Sequence, residues 1–448
     1  MSEPDEGSGT GTQPRPSRLP RTFTSLRHPN FRLLWTTSLI NAASNWLQQV
    51  TLSWLAYDLT DSALVAGLVF GIRALPSLVI GPIGGVLGDR FERKRGLQIN
   101  SGYMAVLALG FAVLLSVGNV QAWHILLFTF LQGTGQAMVN PVRQALVANT
   151  VPREDLMNAI ALNSLAQTSM RVVGPAIAGV LIAVSGPALN FGIQSVAYVL
   201  VFVLAIPLRA PYTDLQARRQ GASLTSSFVE GIAYVRKQPT LMGLILLALV
   251  PTLFTTPINL GLLPVFARDA LHADSAALGL LYSAQGMGAV LGTLALASLG
   301  NFRNKGLLLS GAAACLTVAI TLYSQVTVFL LALPLVALGT CCFMTYNTIN
   351  QTIIQTITPD EYRGRVMGLH MMDHGLSPLG AFLFGTLAEL YGVRLSIFVA
   401  GVCAMTSVAF VLTFFPAIRS FRSGVPAESV SPQPATRRIR ESVAAAPE

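Results

Sequence analysis

The chain has 448 residues, of which 52% are apolar and 11% charged, with 29 Lys and Arg against 20 Asp and Glu. A soluble domain carries roughly 25% charged residues, so this composition and a mean hydropathy of +0.58 exclude a soluble enzyme, a disordered scaffold and a collagen-like fibre. The formal charge of +9 is not a nucleic-acid footprint, because most Lys and Arg stand in short loops between apolar runs and in the tails, as juxtamembrane charges do.

A helix needs about 20 apolar residues to cross the roughly 30 Å hydrocarbon layer. After a polar, Pro-rich and Arg-bearing tail (1–30) with no apolar signal segment, twelve runs reach that length: 31–57, 64–87, 97–117, 122–148, 156–184, 188–208, 240–266, 275–299, 306–324, 327–350, 363–391 and 395–416. They are continuous rather than alternating, which argues against a β-barrel. The expected fold is an all-α integral membrane protein of twelve helices in two six-helix bundles, 31–208 and 240–416. Between them lies a linker, 209–239, where Ser227 and Glu230 have capping-box spacing and Phe228, Ile232 and Val235 share a face before Pro239. That pattern predicts a short amphipathic helix on the membrane interface, with a solvated linker as the alternative. The tails, 1–30 and 417–448, are expected to be disordered.

Loop charges set the orientation. Arg90, Arg93, Lys94, Arg95, Arg153, Arg209, Arg236, Lys237, Arg303, Lys305, Arg363 and Arg365 fall at connections of one parity, as do the Arg-bearing tails. Both termini are therefore expected in the cytoplasm, and the protein in the plasma (inner) membrane. All four cysteines (Cys315, Cys341, Cys342, Cys403) lie in apolar runs and read as buried thiols. No nucleotide-binding loop, metal-ligand spacing or catalytic elbow occurs, so neither a cofactor nor a metal is expected, and nucleic acid is not an expected partner.

The two halves repeat. Asn140, Gln144 and Pro152 are matched 207 positions later by Asn347, Gln351 and Pro359, and Gly174, Gly179 and Gly186 are matched 206 positions later by Gly380, Gly385 and Gly392. Duplicated helical halves are a transporter architecture with a site near the midplane between them.

Charge inside hydrocarbon is costly and usually faces a cavity or a partner. Three such residues stand out: Arg73, Arg171 and Asp373, the last being the one acid deep within the runs, with His370 on its face. Amides form stripes at helical spacing. Asn41, Asn45 and Gln48 share one face of the first run, Gln132, Gln136 and Asn140 one face of the fourth, and Asn163, Gln167 and Arg171 one face of the fifth. The tenth run ends in Asn347, Asn350 and Gln351, and Asn259 follows Pro257 in the seventh. Interhelical hydrogen bonding is the competing use of any single amide.

Between the second and third runs stands Gly85-Val86-Leu87-Gly88-Asp89-Arg90-Phe91-Glu92-Arg93-Lys94-Arg95. This resembles the loop signature of the major facilitator superfamily, Gly-x-x-x-Asp-Arg-x-Gly-Arg-Arg, with Glu92 in place of the second glycine. The segments Asn140-Pro141-Val142-Arg143-Gln144-Ala145-Leu146 and Phe228-Val229-Glu230-Gly231-Ile232-Ala233-Tyr234 are similar to the enterobactin-exporter-like, drug-efflux branch. The resemblance implies a gate built from Gly85, Gly88, Asp89, Arg90, Arg93, Lys94 and Arg95. It also implies that runs one, four, seven and ten line a central cavity, so that Asn41, Asn45, Trp46, Gln48, Gln132, Gln136, Asn140, Asn259, Asn347, Asn350 and Gln351 are cavity candidates. Runs two and eleven are neighbours in that fold. At 1.5 Å per residue, Arg73 and Asp373 then lie roughly 21 and 15 Å from the same end, and can pair during transport. A static buried pair is the alternative. Gly174-Pro175 and Gly179 partly match an exporter motif, with Met170 where an upstream glycine is usual. Where antiporters carry an Arg before a Gln-Gly pair this chain has Thr129, so no coupling residue is implied there.

The reading is a monomeric secondary transporter, exporting a small amphipathic molecule by alternating access with protons as coupling ion and Asp373 as proton carrier. The alternatives are a lipid or lysophospholipid translocase of the same fold and a non-transporting sensor or scaffold. The two arginines favour a neutral or anionic substrate.

Overall fold

The computed structural model describes residues 21–90, 93–209, 224–300, 302–371 and 375–421. Of the tails expected to be disordered, 1–20 and 422–448 lie outside these residues, whereas 21–30 and 417–421 are described, with a 3-10 helix at Arg21–Arg27, the start of α1 at Pro29 and a last short helix at Pro416–Arg419. Among them the chain is all-helical: α1 (Pro29–Thr60), α2 (Ala63–Arg90), α3 (Arg93–Val117), α4 (Ala122–Asn149), α5 (Leu156–Ala205), α6 (Leu224–Lys237), α7 (Pro239–Val250), a short α8 (Leu263–Val265), α9 (Ser275–Ser298), α10 (Lys305–Tyr323), α11 (Phe329–Ile357), α12 (Asp360–Met371), α13 (Ser377–Tyr391), α14 (Val393–Phe414) and α15 (Pro416–Arg419). Seven helical stretches of the described residues are long and apolar enough to cross a membrane: Arg93–Val117, Arg153–Ala205, Pro239–Ala270, Ser275–Ser298, Lys305–Tyr323, Phe329–Ile357 and Val393–Phe414. Helices α1 and α4 are also of spanning length. Their amides lower their apolar character.

Proline and glycine account for the irregular places. The stretch 239–270 passes from α7 through π-helical turns at Pro251–Thr255 and Pro257–Leu262 into α8, and ends in a third at Phe266–Ala270. Pro251, Pro257 and Pro264 each remove a backbone donor, and the wider turn takes the ring without ending the helix. The fifty residues of α5 are two arms joined at Gly186, where φ is +76°. The single run read as 363–391 is instead two helices, α12 and α13, and Pro378 in the first turn of α13 favours a fresh start there. The repeat survives in the backbone. Gly392, the counterpart of Gly186, also has positive φ, +88°, between α13 and α14.

Close packing between the first and second halves of the chain occurs at glycines. A Cβ on Gly67 of α2 would lie 2.9 Å from the Ala381 carbonyl oxygen of α13, and one on Gly279 of α9 would lie 2.5 Å from the Pro175 carbonyl oxygen of α5. A Cβ on Gly179 or Gly286 would likewise lie 2.4 Å from backbone of the other half, and one on Gly385 would lie 3.2 Å from the Leu64 Cα. Small residues at helix crossings allow this approach. One apolar cluster joins the two halves, running from Leu47, Val50 and Tyr57 through Ala178 to Leu262, Phe266, Leu278 and Tyr282. Toward the opposite end, where α1 begins and α14 finishes, each half has its own cluster: Phe31, Leu34, Leu146 and Leu162 in the first, Leu244, Leu309, Ile353 and Val408 in the second.

Helix α6, the helix expected in the linker, docks on α12. Glu230 pairs with Arg365 at 2.9 Å, and the Tyr234 and Tyr362 rings stack at 4.4 Å. Of the apolar face read from the sequence, Val235 is buried. The side chain of Phe228 lies outside the described residues.

Replacing Gly186 by Ala is expected to cost about 1–2 kcal/mol, because an L side chain resists positive φ, and to lower the thermal midpoint in detergent by several degrees. Gly110→Ala, in α3 with nothing within 4 Å of the added carbon, is expected to leave the midpoint unchanged or raise it. Equal melting of the two variants would contradict the assignment.

Candidate functional site

A cavity of about 470 Å³ opens between α1, α4 and α5. Its lining comprises Ser38, Asn41, Ala42, Asn45 and Trp46 from α1, Asn140, Arg143 and Gln144 from α4, and Asn163, Gln167, Thr168 and Arg171 from α5. Because α1 and α5 begin, and α4 ends, at the same end of the molecule, these residues lie about 8 to 25 Å from that end at 1.5 Å per residue. The cavity is thus at mid-height and below, where the two halves keep separate apolar clusters.

One polar network frames its upper wall. The Arg73 guanidinium donates to Asn45 Oδ1 at 3.2 Å and, through its other terminal nitrogen, to Gln49 Oε1. Gln136 Nε2 donates to the same Asn45 oxygen at 2.7 Å. Arg73 is therefore held by amide oxygens of α1. Asp373, its expected partner, lies outside the described residues. His370 is buried at the end of α12, next to that segment.

The other wall touches the second half. The Arg171 guanidinium lies 5.7 Å from the Trp46 ring centroid and 4.0 Å from Met344 Sδ of α11. Trp46 in turn meets Tyr282 of α9, ring centroids 6.4 Å apart. The backbone of Arg171 lies against Gly286 of α9, and Gly174 leaves room for the Trp46 side chain. A ligand that moved Trp46 or Arg171 would press directly on the contact between the halves.

The cavity candidates read from the sequence divide. Asn41, Asn45, Trp46 and Asn140 line this cavity, and Gln136 is bonded to Asn45. Gln48 and Gln132 are instead fully buried and, among the described residues, neither amide atom of either side chain has a hydrogen-bond partner. Their stripe positions turn into helix contacts rather than into open space. Asn350 is buried and donates to the Leu244 carbonyl of α7, so it serves packing. Asn259 accepts from Gln285 through its backbone oxygen, and Asn347 and Gln351 are half-buried on α11; none of the three lines this cavity. Arg143, Gln144, Asn163 and Gln167 do line it. The signal for Arg143 and Gln144 was their spacing, three and four residues after Asn140 on one face.

Of the gate, Gly85, Gly88, Asp89 and Arg90 belong to the last turns of α2, whose side chains lie outside the described residues. Arg93 and Lys94 open α3 half-buried and Arg95 is exposed. The opposite end is latched by described residues. Arg268 pairs with Asp58 at 3.0 Å and Asp61 at 3.9 Å, Tyr57 donates to Asp269 at 2.6 Å, and Glu389 accepts from Ser62 Oγ at 3.1 Å and Leu64 N at 3.2 Å. Each of these contacts joins the first half to the second. Exposed pairs are worth little individually, but here several act together over a shared apolar cluster.

Comparison with known proteins follows the same lines. A family profile described as transmembrane secretion effector matches residues 21–439. The staphyloferrin A transporter of Staphylococcus aureus is 23% identical over 379 residues, 83% of this chain and 92% of that one. Macrolide efflux protein A of Streptococcus pyogenes is 24% identical over 371 residues, 81% and 90% of the two chains. The enterobactin exporter EntS of Escherichia coli is 25% identical over 405 residues, 90% and 96%. Among solved structures, a bacterial homolog of the human lysosomal transporter Spinster, inward-facing and occupied, superposes with a TM-score of 0.69 at 13% identity, covering 91% of this chain and all of that one. The nucleoside transporter NupG gives 0.68 at 14% identity, covering 86% and 99%. These structures share the fold.

With Thr168→Cys as the single thiol of a chain lacking its four native cysteines, an impermeant maleimide is expected to label the cavity from the side of the termini. Arg268→Ala should move a severalfold larger share of the protein to labelling from the opposite side, corresponding to about 1 kcal/mol of lost latch. Unchanged sidedness would remove the latch.

Proposed function

Because the chain belongs to the transmembrane secretion effector family of the major facilitator superfamily, we propose that it exports a small amphipathic molecule from the cytoplasm through the cavity between α1, α4 and α5. The protein is a multi-pass inner-membrane transporter of the efflux branch and not an enzyme. The finer reading has twelve spans in two six-helix bundles, 31–208 and 240–416, with 209–239 as linker and both termini in the cytoplasm, where the loop arginines would be held.

The observation that carries this reading is the joint placement of cavity and latch. A polar cavity lies toward the end bearing the termini, while Arg268, Asp269, Glu389 and the glycine crossings join the halves at the other end. In a rocking carrier this is the state that accepts substrate from the cytoplasm. Substrate seated against Trp46 and Arg171 would bear on Tyr282, Gly286 and Met344, so that binding favours one arrangement of the halves over the other. One chain contains the whole pathway, in keeping with a monomer. Protons are the proposed coupling ion, with Asp373 as carrier and His370 beside it. The gate from Gly85 to Arg95 would close the cytoplasmic end in the opposite state.

A second reading, movement of a lipid or lysophospholipid, is favoured by one feature. A groove of about 490 Å³ lies between α7 and α14, lined by Leu246, Leu249, Leu253, Phe254, Phe410 and neighbours, with polar groups from Thr406 and Ser407. It would accept an acyl chain from the bilayer. It shares no residue with the polar cavity, so efflux of a soluble amphiphile stands first.

Inside-out vesicles carrying the protein are expected to accumulate at least one member of a panel of drugs, siderophores and lysophosphatidylcholine. A protonophore, and separately Asp373→Asn, should return accumulation to background. Accumulation indifferent to both treatments would remove protons and Asp373 from the mechanism, and accumulation of lysophosphatidylcholine alone would establish the second reading.

A further inference from the structure

The cavity between α1, α4 and α5 carries positive charge that its own lining does not balance. Arg143 and Arg171 both line it, and none of the lining residues is acidic. Arg143 Nη2 is buried and, among the described residues, has no hydrogen-bond partner. Among the described residues, the contacts of the Arg171 guanidinium are the Trp46 ring and the Met344 sulfur, neither of them an anion. Arg73, by contrast, has its amide acceptors on α1. A guanidinium at membrane depth without a counter-charge costs several kcal/mol, and the cost is removed when an anion takes its place beside it. The planar fork of Arg matches a carboxylate with two parallel hydrogen bonds.

We infer that this cavity is an anion subsite: it takes a carboxylate-bearing aromatic amphiphile, with the carboxylate on Arg143 and Arg171 and the ring against Trp46. The surrounding amides, Asn140 and Asn163 among them, supply donors and acceptors for hydroxyl or carbonyl groups on the same molecule. The inference deepens the efflux reading and rests on it for the direction of movement. Binding itself is separate, since it depends on the cavity and not on the direction of movement.

The test compares three ligands of one shape and different charge, naphthoate, naphthamide and naphthylmethylammonium, by calorimetry on the full chain in lipid nanodiscs. Naphthoate is expected to bind at least an order of magnitude more tightly than the ammonium. Arg143→Gln should weaken naphthoate about tenfold, or 1.4 kcal/mol, and leave naphthamide unchanged, while Arg143→Lys restores part of the loss. Without ligand, Arg143→Gln should raise the thermal midpoint, because it removes an unbalanced buried charge; a variant that fails to fold would show the arginine to be structural and overturn the proposal. Equal binding of naphthoate and ammonium, no binding of naphthoate, or no effect of Arg143→Gln would also overturn it. Transport of cations alone would remove the subsite and leave the efflux reading intact. Arg143-dependent anion binding by a protein that moves no compound in vesicles would do the reverse.

Discussion

The structure depends on backbone meeting backbone at glycine. Gly67 against Ala381 and Gly279 against Pro175 bring helices of the two halves within reach of one another at one end only. The crossing itself has no long side chains to interdigitate, and the apolar cluster around it is shared by both halves, so the two are held together at this end by close backbone contact and common core. The ion pairs around Arg268 then add a modest, reversible bias to a contact already shaped by sterics. Where the glycines are absent, toward the termini, each half packs on itself and leaves the polar cavity between α1, α4 and α5.

Much of this was legible in the chain. Twelve apolar runs and the spacing of Gly174, Gly179 and Gly186 against Gly380, Gly385 and Gly392 point to duplicated halves, and two of those glycines, Gly186 and Gly392, take positive φ at corresponding bends. Helical spacing named Asn41, Asn45 and Asn140 as cavity candidates and marked Asn163, Gln167 and Arg171 as a stripe on α5 without placing it in the cavity that all six line. It could not say which way a stripe turns. A period of three to four residues marks one face of a helix, yet that face spans more than a cavity needs, and Gln48 and Gln132 at its margin ended in helix contacts. Asn350 was ambiguous for the same reason: an amide bonded to a neighbouring carbonyl and an amide facing a substrate have one sequence signature.

Arg143 was overlooked because it stands near the end of a polar stripe, close to loop arginines expected to set the topology. Its distinction is environmental: it lines the cavity, and none of the lining residues is acidic. Arg73 shows the contrast. An arginine farther from the helix end is quiet when Asn45 and Gln49 meet it. Depth alone does not set one arginine apart from another; whether a resident acceptor meets it does.

The π-helical turns of 251–270 have a consequence for how this segment tolerates change. A π turn holds one residue more than an α turn. Deleting one residue between Pro251 and Ala270 can therefore be absorbed by tightening a turn, whereas in a regular helix it would rotate everything downstream by about 100°. Arg268 and Asp269 sit in the last of these turns, against Asp58 and Tyr57. The slack built into the rod thus lets length vary upstream while the register of the latch is kept.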